Sequence, residues 1–360
     1  MSFLRTPLGK LCLYIVLLLL GIVAVVWFFD PFYQYHQPFP GMKAVLNDRD
    51  NQMPGTVRNF AYDSVLVGSS VAENFDSSYL DEHYDCHTLK IIRASGSVAD
   101  LLYYLEMAQE ERELKNVFWC LDLFALEAST EVTLYGDDTP RYLHTETVLD
   151  DTTYLLNKEV LLEKIPFMLA SAYLGRNTDG QAYDWSHDKE FGAAKAMQAY
   201  QKPTENLEEQ DFSQDIPVIA QNIESLALQI SSHPDTRYRI LFPPYSMMWW
   251  DCAKVNGNLE KQFYILEQVM PVLLSLPNVE VYYFQDEEAI VCNLDNYMDM
   301  IHYTPQVNQY MLEQMVVGEK QWIAENWEDK LQEMRGLADR IISTEIYRYY
   351  PEPHKAKRAG

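Results

Sequence analysis

The stretch that decides the fold is Asp63-Ser64-Val65-Leu66-Val67-Gly68-Ser69-Ser70-Val71-Ala72-Glu73-Asn74-Phe75. Its apolar run reads as a short buried strand. The strand stops at a glycine, and two serines and a polar turn follow. In an open α/β sheet, ligands bind at the carboxyl end of strands. A serine there is held by a rigid element yet faces a crevice. Gly68 lets the chain turn sharply because it has no side chain to clash.

Working outward, the same alternation continues. Leu89-Lys90-Ile91-Ile92-Arg93-Ala94 reads as a second strand, broken by Ser95-Gly96-Ser97. Val98 to Glu113 has helical spacing, with Ser97 as N-cap and Asp100 three residues on. Val117 to Leu121 is a third strand, continuously apolar and hence central. Asp122 stands at its carboxyl end. Tyr238 to Phe242 gives a fourth strand, which Pro243-Pro244 terminates ahead of Tyr245 and Ser246. A helix over Asn258–Leu276 follows, then a fifth strand over Val279–Phe284. Thr304-Pro305 opens a last helix, with proline in its first turn. Strands alternating with helices predict an α/β chain with a doubly wound, five-stranded parallel sheet.

Residues 60–325 form this domain in the sequence reading, with an insertion at about 130–212. The insertion holds Gly136-Asp137-Asp138, an apolar patch from Val160 to Leu174 and a Tyr-rich remainder. It reads either as a lid or partner surface or as packing decoration. Residues 326–360 read as a charged helix ending in a basic tail.

Before the domain, Leu11 to Phe29 is an uncharged apolar run of 19 residues. As a helix it is roughly 28 Å long, close to the thickness of a bilayer core. Arg5 and Lys10 precede it, and the first charge after it is Asp30. That asymmetry puts the N-terminus in the cytoplasm and the body outside, on the cell membrane as a single-pass protein. Trp27, Phe28, Phe29, Phe32, Tyr33 and Tyr35 form an interfacial aromatic belt. A cleaved signal peptide is the rival reading, disfavoured by the length of the run and by the lack of a small-residue cleavage site. Residues 1–30 are thus the cytoplasmic start and signal anchor. Residues 31–59, rich in Pro and Gly, are a connector.

The chain has 28 Lys and Arg against 53 Asp and Glu, a net charge of −25 in 360 residues. This excludes nucleic acid as a partner. Five cysteines show no zinc-ligand spacing, and neither a metal nor a cofactor is expected. Cys252 and Cys292 follow the fourth and fifth strands, so a disulfide between them is an open alternative in an oxidising exterior.

The chemistry centres on Ser70. A serine nucleophile needs a base within hydrogen-bond reach, a carboxylate behind that base and donors aimed at the oxyanion. Asp299-Met300-Ile301-His302-Tyr303 supplies the first two, on the carboxyl edge that also carries Ser70. A carboxylate three residues before a histidine can bond its Nδ1 and leave Nε2 for the serine. A second Asp-x-x-His, Asp184-Trp185-Ser186-His187, lies in the insertion with no strand before it. It reads as a surface feature and stays as the rival dyad.

This combination resembles the SGNH (GDSL-type) hydrolase superfamily and, in its Gly-Ser-Ser variant, the membrane-anchored DltD-like proteins of cell-envelope acylation. Gly68-Ser69-Ser70 matches the first block, with Ser69 where aspartate is usual. Gly96 matches the second-block glycine, and Asp299 and His302 match the last block. Leu121-Asp122-Leu123 stands in place of the third block, Gly-x-Asn-Asp. The resemblance implies a flavodoxin-like SGNH fold and a catalytic Ser70-His302-Asp299 triad. It places the backbone amides of Ser70 and Gly96 in the oxyanion hole. It implies an esterase or O-acyltransferase for envelope polysaccharide or teichoic acid. The partners would be an acylated glycan or acyl donor and a multipass membrane-bound O-acyltransferase. The alternative is a catalytically silent scaffold of the same fold, binding a glycan or that acyltransferase.

Overall fold

The computed structural model describes residues 6–133, 140–145, 147–203 and 207–351. Gly136-Asp137-Asp138 and the basic tail lie outside the described residues. The chain divides into two compact units. One is drawn from the described residues of Met1–Ala61 and Leu134–Tyr183, the other from those of Tyr62–Thr133 and Asp184–Gly360.

The larger unit is α/β. Five strands, β1 (Ser64–Gly68), β2 (Thr88–Ile92), β3 (Asn116–Cys120), β4 (Arg237–Phe242) and β5 (Val279–Tyr283), pair in parallel in the order β2-β1-β3-β4-β5. The expectation of a purely parallel five-stranded sheet needs correction. A sixth strand, β6 (Gln321–Trp322), adds antiparallel to β5 through Val281↔Trp322 and Tyr282↔Gln321. The sheet is therefore mixed. Two residues carry no alternation, so the sequence pattern offers no sign of β6. Strand β3 is buried along its whole length, as a central parallel strand must be.

Helix Val98–Glu111 starts with a complete capping box. The Ser97 hydroxyl accepts from the Asp100 amide, and the Asp100 carboxylate accepts from that of Ser97. Leu259–Leu274 and Pro305–Val317 are the helices expected beside β5, and Pro305 sits in the first turn behind Thr304. From β1 the chain crosses to β2 on one side and then to β3 on the other. The sheet thus has its topological switch point between the carboxyl ends of β1 and β3, where a doubly wound sheet opens a crevice.

The smaller unit holds the helix Pro7–Phe29, which is long and apolar enough to be a membrane anchor or a signal sequence. The stretch read as a connector contains a further helix, Arg49–Asn59. Pro54-Gly55 reads as a breaker pair, yet the glycine is there for space. A Cβ on Gly55 would come within 2.3 Å of the Phe32 carbonyl oxygen. The insertion is also not one body: its 140–183 part belongs to this unit, and its remainder belongs to the α/β unit.

The smaller unit is organised by buried polar groups. Asp30 is fully buried at the end of the long helix. Its carboxyl accepts from the amides of Gln34 (3.0 Å), Tyr35 (2.8 Å) and His36 (3.2 Å) and from the Tyr154 hydroxyl (2.8 Å). Burial pushes this carboxyl above its ordinary range, and the Tyr35 amide and Tyr154 hydroxyl pull against that rise. Gln52 donates to the carbonyls of Pro31 and Val45 and accepts from the amides of Asn47 and Asp48. Around them, Val26, Phe32, Leu143, Tyr154, Val160 and Ile165 form one apolar cluster.

Asp30→Ala leaves three amides without their acceptor. It is expected to speed amide exchange across residues 31–59 by roughly 100-fold, the equivalent of ~3 kcal/mol. Exchange measured by mass spectrometry on the full chain tests this, and unchanged protection would show that the amides find other acceptors.

Candidate active site

Strand β1 delivers its last residue, Gly68, against β3. A Cβ there would lie 2.6 Å from the Ala72 Cβ and 3.1 Å from the Cys120 carbonyl oxygen. Only glycine allows so close an approach. The chain then enters a single 3-10 turn, Ser70–Ala72, in which the Ala72 amide donates to the Ser69 carbonyl. The Asn308 side-chain Nδ2, from helix Pro305–Val317, donates to the Val71 carbonyl at 3.0 Å and ties the turn down. Ser70 is the first residue of this turn and is partly exposed.

Asp299 and His302 sit in a tight loop clamped by an antiparallel bridge, Tyr297↔Tyr303, and by the Met298 amide on the His302 carbonyl. Ser246, just past β4, holds the loop from below. Its hydroxyl and amide both donate to the Met300 carbonyl, at 2.8 and 3.0 Å. One Asp299 oxygen accepts from the amides of Ile301 (2.9 Å) and His302 (2.8 Å), and the other lies 2.7 Å from His302 Nδ1. His302 Nε2 in turn lies 2.8 Å from Ser70 Oγ. The three residues singled out in the sequence are thus in hydrogen-bonded series. Burial works against the Asp299 carboxylate. The His302 ring and the two amides outweigh it and hold this carboxyl below its ordinary range.

Gly96 is a different matter. Its amide donates to the Arg93 carbonyl at 3.0 Å within the Ser95-Gly96 turn. A Cβ on it would come 2.9 Å from the Arg93 side chain. The amide expected in the oxyanion hole is thus engaged within the turn in this structure. The glycine is required for packing.

Asp122 is buried at the carboxyl end of β3, across the switch point from Ser70. It accepts from the Tyr245 hydroxyl. Burial pushes its carboxyl up to about 6, against the pull of the Ser69 and Tyr245 hydroxyls and the nearby His302. Tyr245 and Ser246, which follow the strand-terminating Pro243-Pro244, are thus part of the site's frame.

Trp185 was missed altogether. Its indole N–H donates to the Ser70 carbonyl at 3.2 Å, and its amide donates to the Asn74 side chain. Its ring meets His302 edge to face, with centroids 5.4 Å apart. Trp185 lies inside the second Asp-x-x-His. In that motif Asp184 accepts from the Ser186 amide, and His187 Nε2 pairs with Asp188 at 3.1 Å. The rival dyad is not assembled, and the residue between its ends reaches the nucleophile turn.

Cys252 and Cys292 are both free thiols, so the disulfide left open by the sequence is not formed. Among the described residues, no cluster of three His, Cys, Asp or Glu side chains is placed to hold a metal ion.

No protein-family model matches the chain. No curated protein matches it either. Among solved structures, one from Streptococcus pneumonia, described provisionally as a platelet activating factor, aligns with a TM-score of 0.36 and 10% identity. The alignment covers 74% of this chain and 91% of that one. A likeness so distant carries no argument about activity. The chain carries an α/β unit with serine, histidine and aspartate in series at the carboxyl edge of its sheet.

The carboxyl of Asp122 yields a test with a definite sign. Its folded pKa of about 6 lies above its ordinary value of 3.8, so the folded chain holds the proton longer than the unfolded one. Stability therefore falls as pH rises from about 4 to 6 and is level beyond that. Asp122→Asn keeps an acceptor for Tyr245 but cannot ionise. It is expected to stabilise the chain by roughly 3 kcal/mol above pH 6 and by almost nothing below pH 4. Urea denaturation at pH 4 and pH 8 reads the difference, and an equal effect at both would mean that ionisation is not the cause.

Proposed function

We propose that this chain is a membrane-anchored, extracytoplasmic serine esterase or O-acyltransferase of the SGNH type. In this reading it acts on acyl esters of envelope polysaccharide or teichoic acid. The observation that carries the reading is the Ser70–His302–Asp299 series, with contacts of 2.8 and 2.7 Å on the two ring nitrogens. Its supports are the sequence resemblance and the position of Ser70 at the switch point of the sheet.

The chemistry follows from the geometry. Asp299 accepts from His302 Nδ1, which fixes the tautomer and leaves Nε2 as the base. Nε2 takes the Ser70 proton as Oγ attacks the ester carbonyl. The imidazolium then returns the proton to the departing alcohol, leaving an acyl group on Ser70. Water or a sugar hydroxyl, deprotonated by the same ring, releases it as a free acid or as a new ester. Ser70's own amide, at the open start of its turn, is the first oxyanion donor. Trp185 steadies the nucleophile turn through the Ser70 carbonyl and walls one side of His302.

The apolar helix Pro7–Phe29 would hold this chemistry at the outer face of the cell membrane, with the N-terminus inside. There the acyl group could come from an acylated glycan or through a multipass membrane-bound O-acyltransferase. A specific observation favours the silent scaffold as the second reading. The Gly96 amide is engaged, and an aspartate stands where the family carries asparagine.

Full-length protein in detergent is to be treated with a fluorophosphonate probe. Wild type is expected to label. Ser70→Ala abolishes labelling, and His302→Ala and Asp299→Asn slow it by about 10³-fold or more. Labelling that persists in Ser70→Ala overturns the assignment. A folded wild type that never labels, with or without membranes holding an O-acyltransferase, leaves the scaffold reading.

A further inference from the structure

The smaller unit carries an apolar face that the chain itself does not cover. A π-helical turn, Val160–Lys164, runs into the helix Ile165–Leu174. Pro166 has no amide hydrogen, and the widened turn lets the Ile165 amide reach back to Val160 instead. From Ile165 to Leu174 there is no charged residue. One side of this element is buried through Val160, Ile165 and Met168. The opposite side exposes Leu162 (68%), Phe167 (60%), Leu169 (43%), Tyr173 (91%) and Leu174 (60%). Large residues so exposed on a contiguous face mark a contact surface.

What covers this face is indicated by what its other side touches. Val160 and Ile165 share one apolar cluster with Val26 of the long helix, and Ile22 and Phe29 pack against that cluster. The exposed face thus begins where the apolar helix ends. A helix of 10 residues is about 15 Å long, half of what a bilayer core requires, so it cannot span one. It can lie along the interface, with its bare side about 5–10 Å deep among the acyl chains. Lys158 and Arg176, exposed before and after it, then fall at the headgroup level. From Ile165 to Leu174 both sides are apolar, which fits a helix with protein on one side and lipid on the other, while Glu163, exposed in the turn before it, falls with Lys158 at the headgroup level.

We infer that the apolar face of residues 160–174 docks on the outer interface of the bilayer that the N-terminal helix enters. The chain then has a second, in-plane membrane contact beside its anchor. This rests on the anchor reading, and the test separates the two.

The full chain is reconstituted in phosphatidylcholine vesicles with Cys12→Ser, Cys252→Ser and Tyr173→Cys, and a nitrobenzoxadiazole label is placed at position 173. The Tyr173 side chain is 91% exposed, so its replacement removes little packing. A parallel sample keeps Cys12, which is exposed on the apolar helix, as its labelled thiol. The water-phase quencher is acrylamide, because a chain of net charge −25 repels iodide. The label at 173 is expected to be quenched roughly twofold by lipids with a doxyl group at carbon 5, which sits near the expected depth, and to be shielded from acrylamide. If acrylamide quenches 173 while the Cys12 label is lipid-protected, the anchor stands and the docking is overturned, which leaves a protein partner for this face. If the Cys12 label is itself open to acrylamide, the anchor reading fails and the docking fails with it.

Discussion

One carboxylate with three donors governs the geometry of the candidate site. Asp299 binds two amides of its own loop and the ring nitrogen of His302, so loop and ring are fixed together. A three-residue spacing permits this only if the backbone folds back on itself. The Tyr297↔Tyr303 bridge and the grip of Ser246 on the Met300 carbonyl impose that fold. The ring then has one direction in which to offer Nε2, and Ser70 lies there because β1 cannot end anywhere else. The glycine before the two serines is pressed on Cys120, and the turn after them is held by Asn308. Ser70 and His302 are 232 residues apart in sequence and meet through two rigid approaches.

The same pattern explains what could be read in advance. Parallel strands buried on both faces are continuous apolar runs, so β1 and β3 stand out in the sequence. The Ser97–Asp100 box announces a helix start by chemistry that is wholly local. Ser70, Asp299 and His302 are legible because an ordered α/β alternation forces all strand ends onto one edge. Trp185 is not legible, since its role comes from a long excursion whose return path no periodicity encodes. Its only signal is an aromatic residue inside an Asp-x-x-His that lacks a strand. The Gly96 amide is ambiguous in sequence for the opposite reason. A glycine in a turn fits both an open donor and a tight packing contact, and only the position of the Arg93 carbonyl decides between them.

The smaller unit was the less legible half, and for a physical reason. It depends on buried polar hubs more than on a periodic apolar face. Gln52 and Asp30 satisfy backbone groups of an irregular segment, and such hubs look in sequence like ordinary loop residues. Pro54-Gly55 argues against a helix until the Phe32 backbone is seen crossing over it.

That construction has a consequence for how the chain is made. Asp30 and Tyr154 are separated by 124 residues, and between the two pieces of this unit the chain lays down β1, β2 and β3. Emerging from the ribosome, residues 30–59 have no Tyr154 to close on and no Val160 to cover Val26. The three strands meanwhile lack β4, so neither unit can close before the other has been interrupted. Loop closure of this span costs entropy that only the late contacts repay. Residues 30–59 therefore wait until translation has passed Ile165, and the two units complete in the order in which they begin, each only after the other has started.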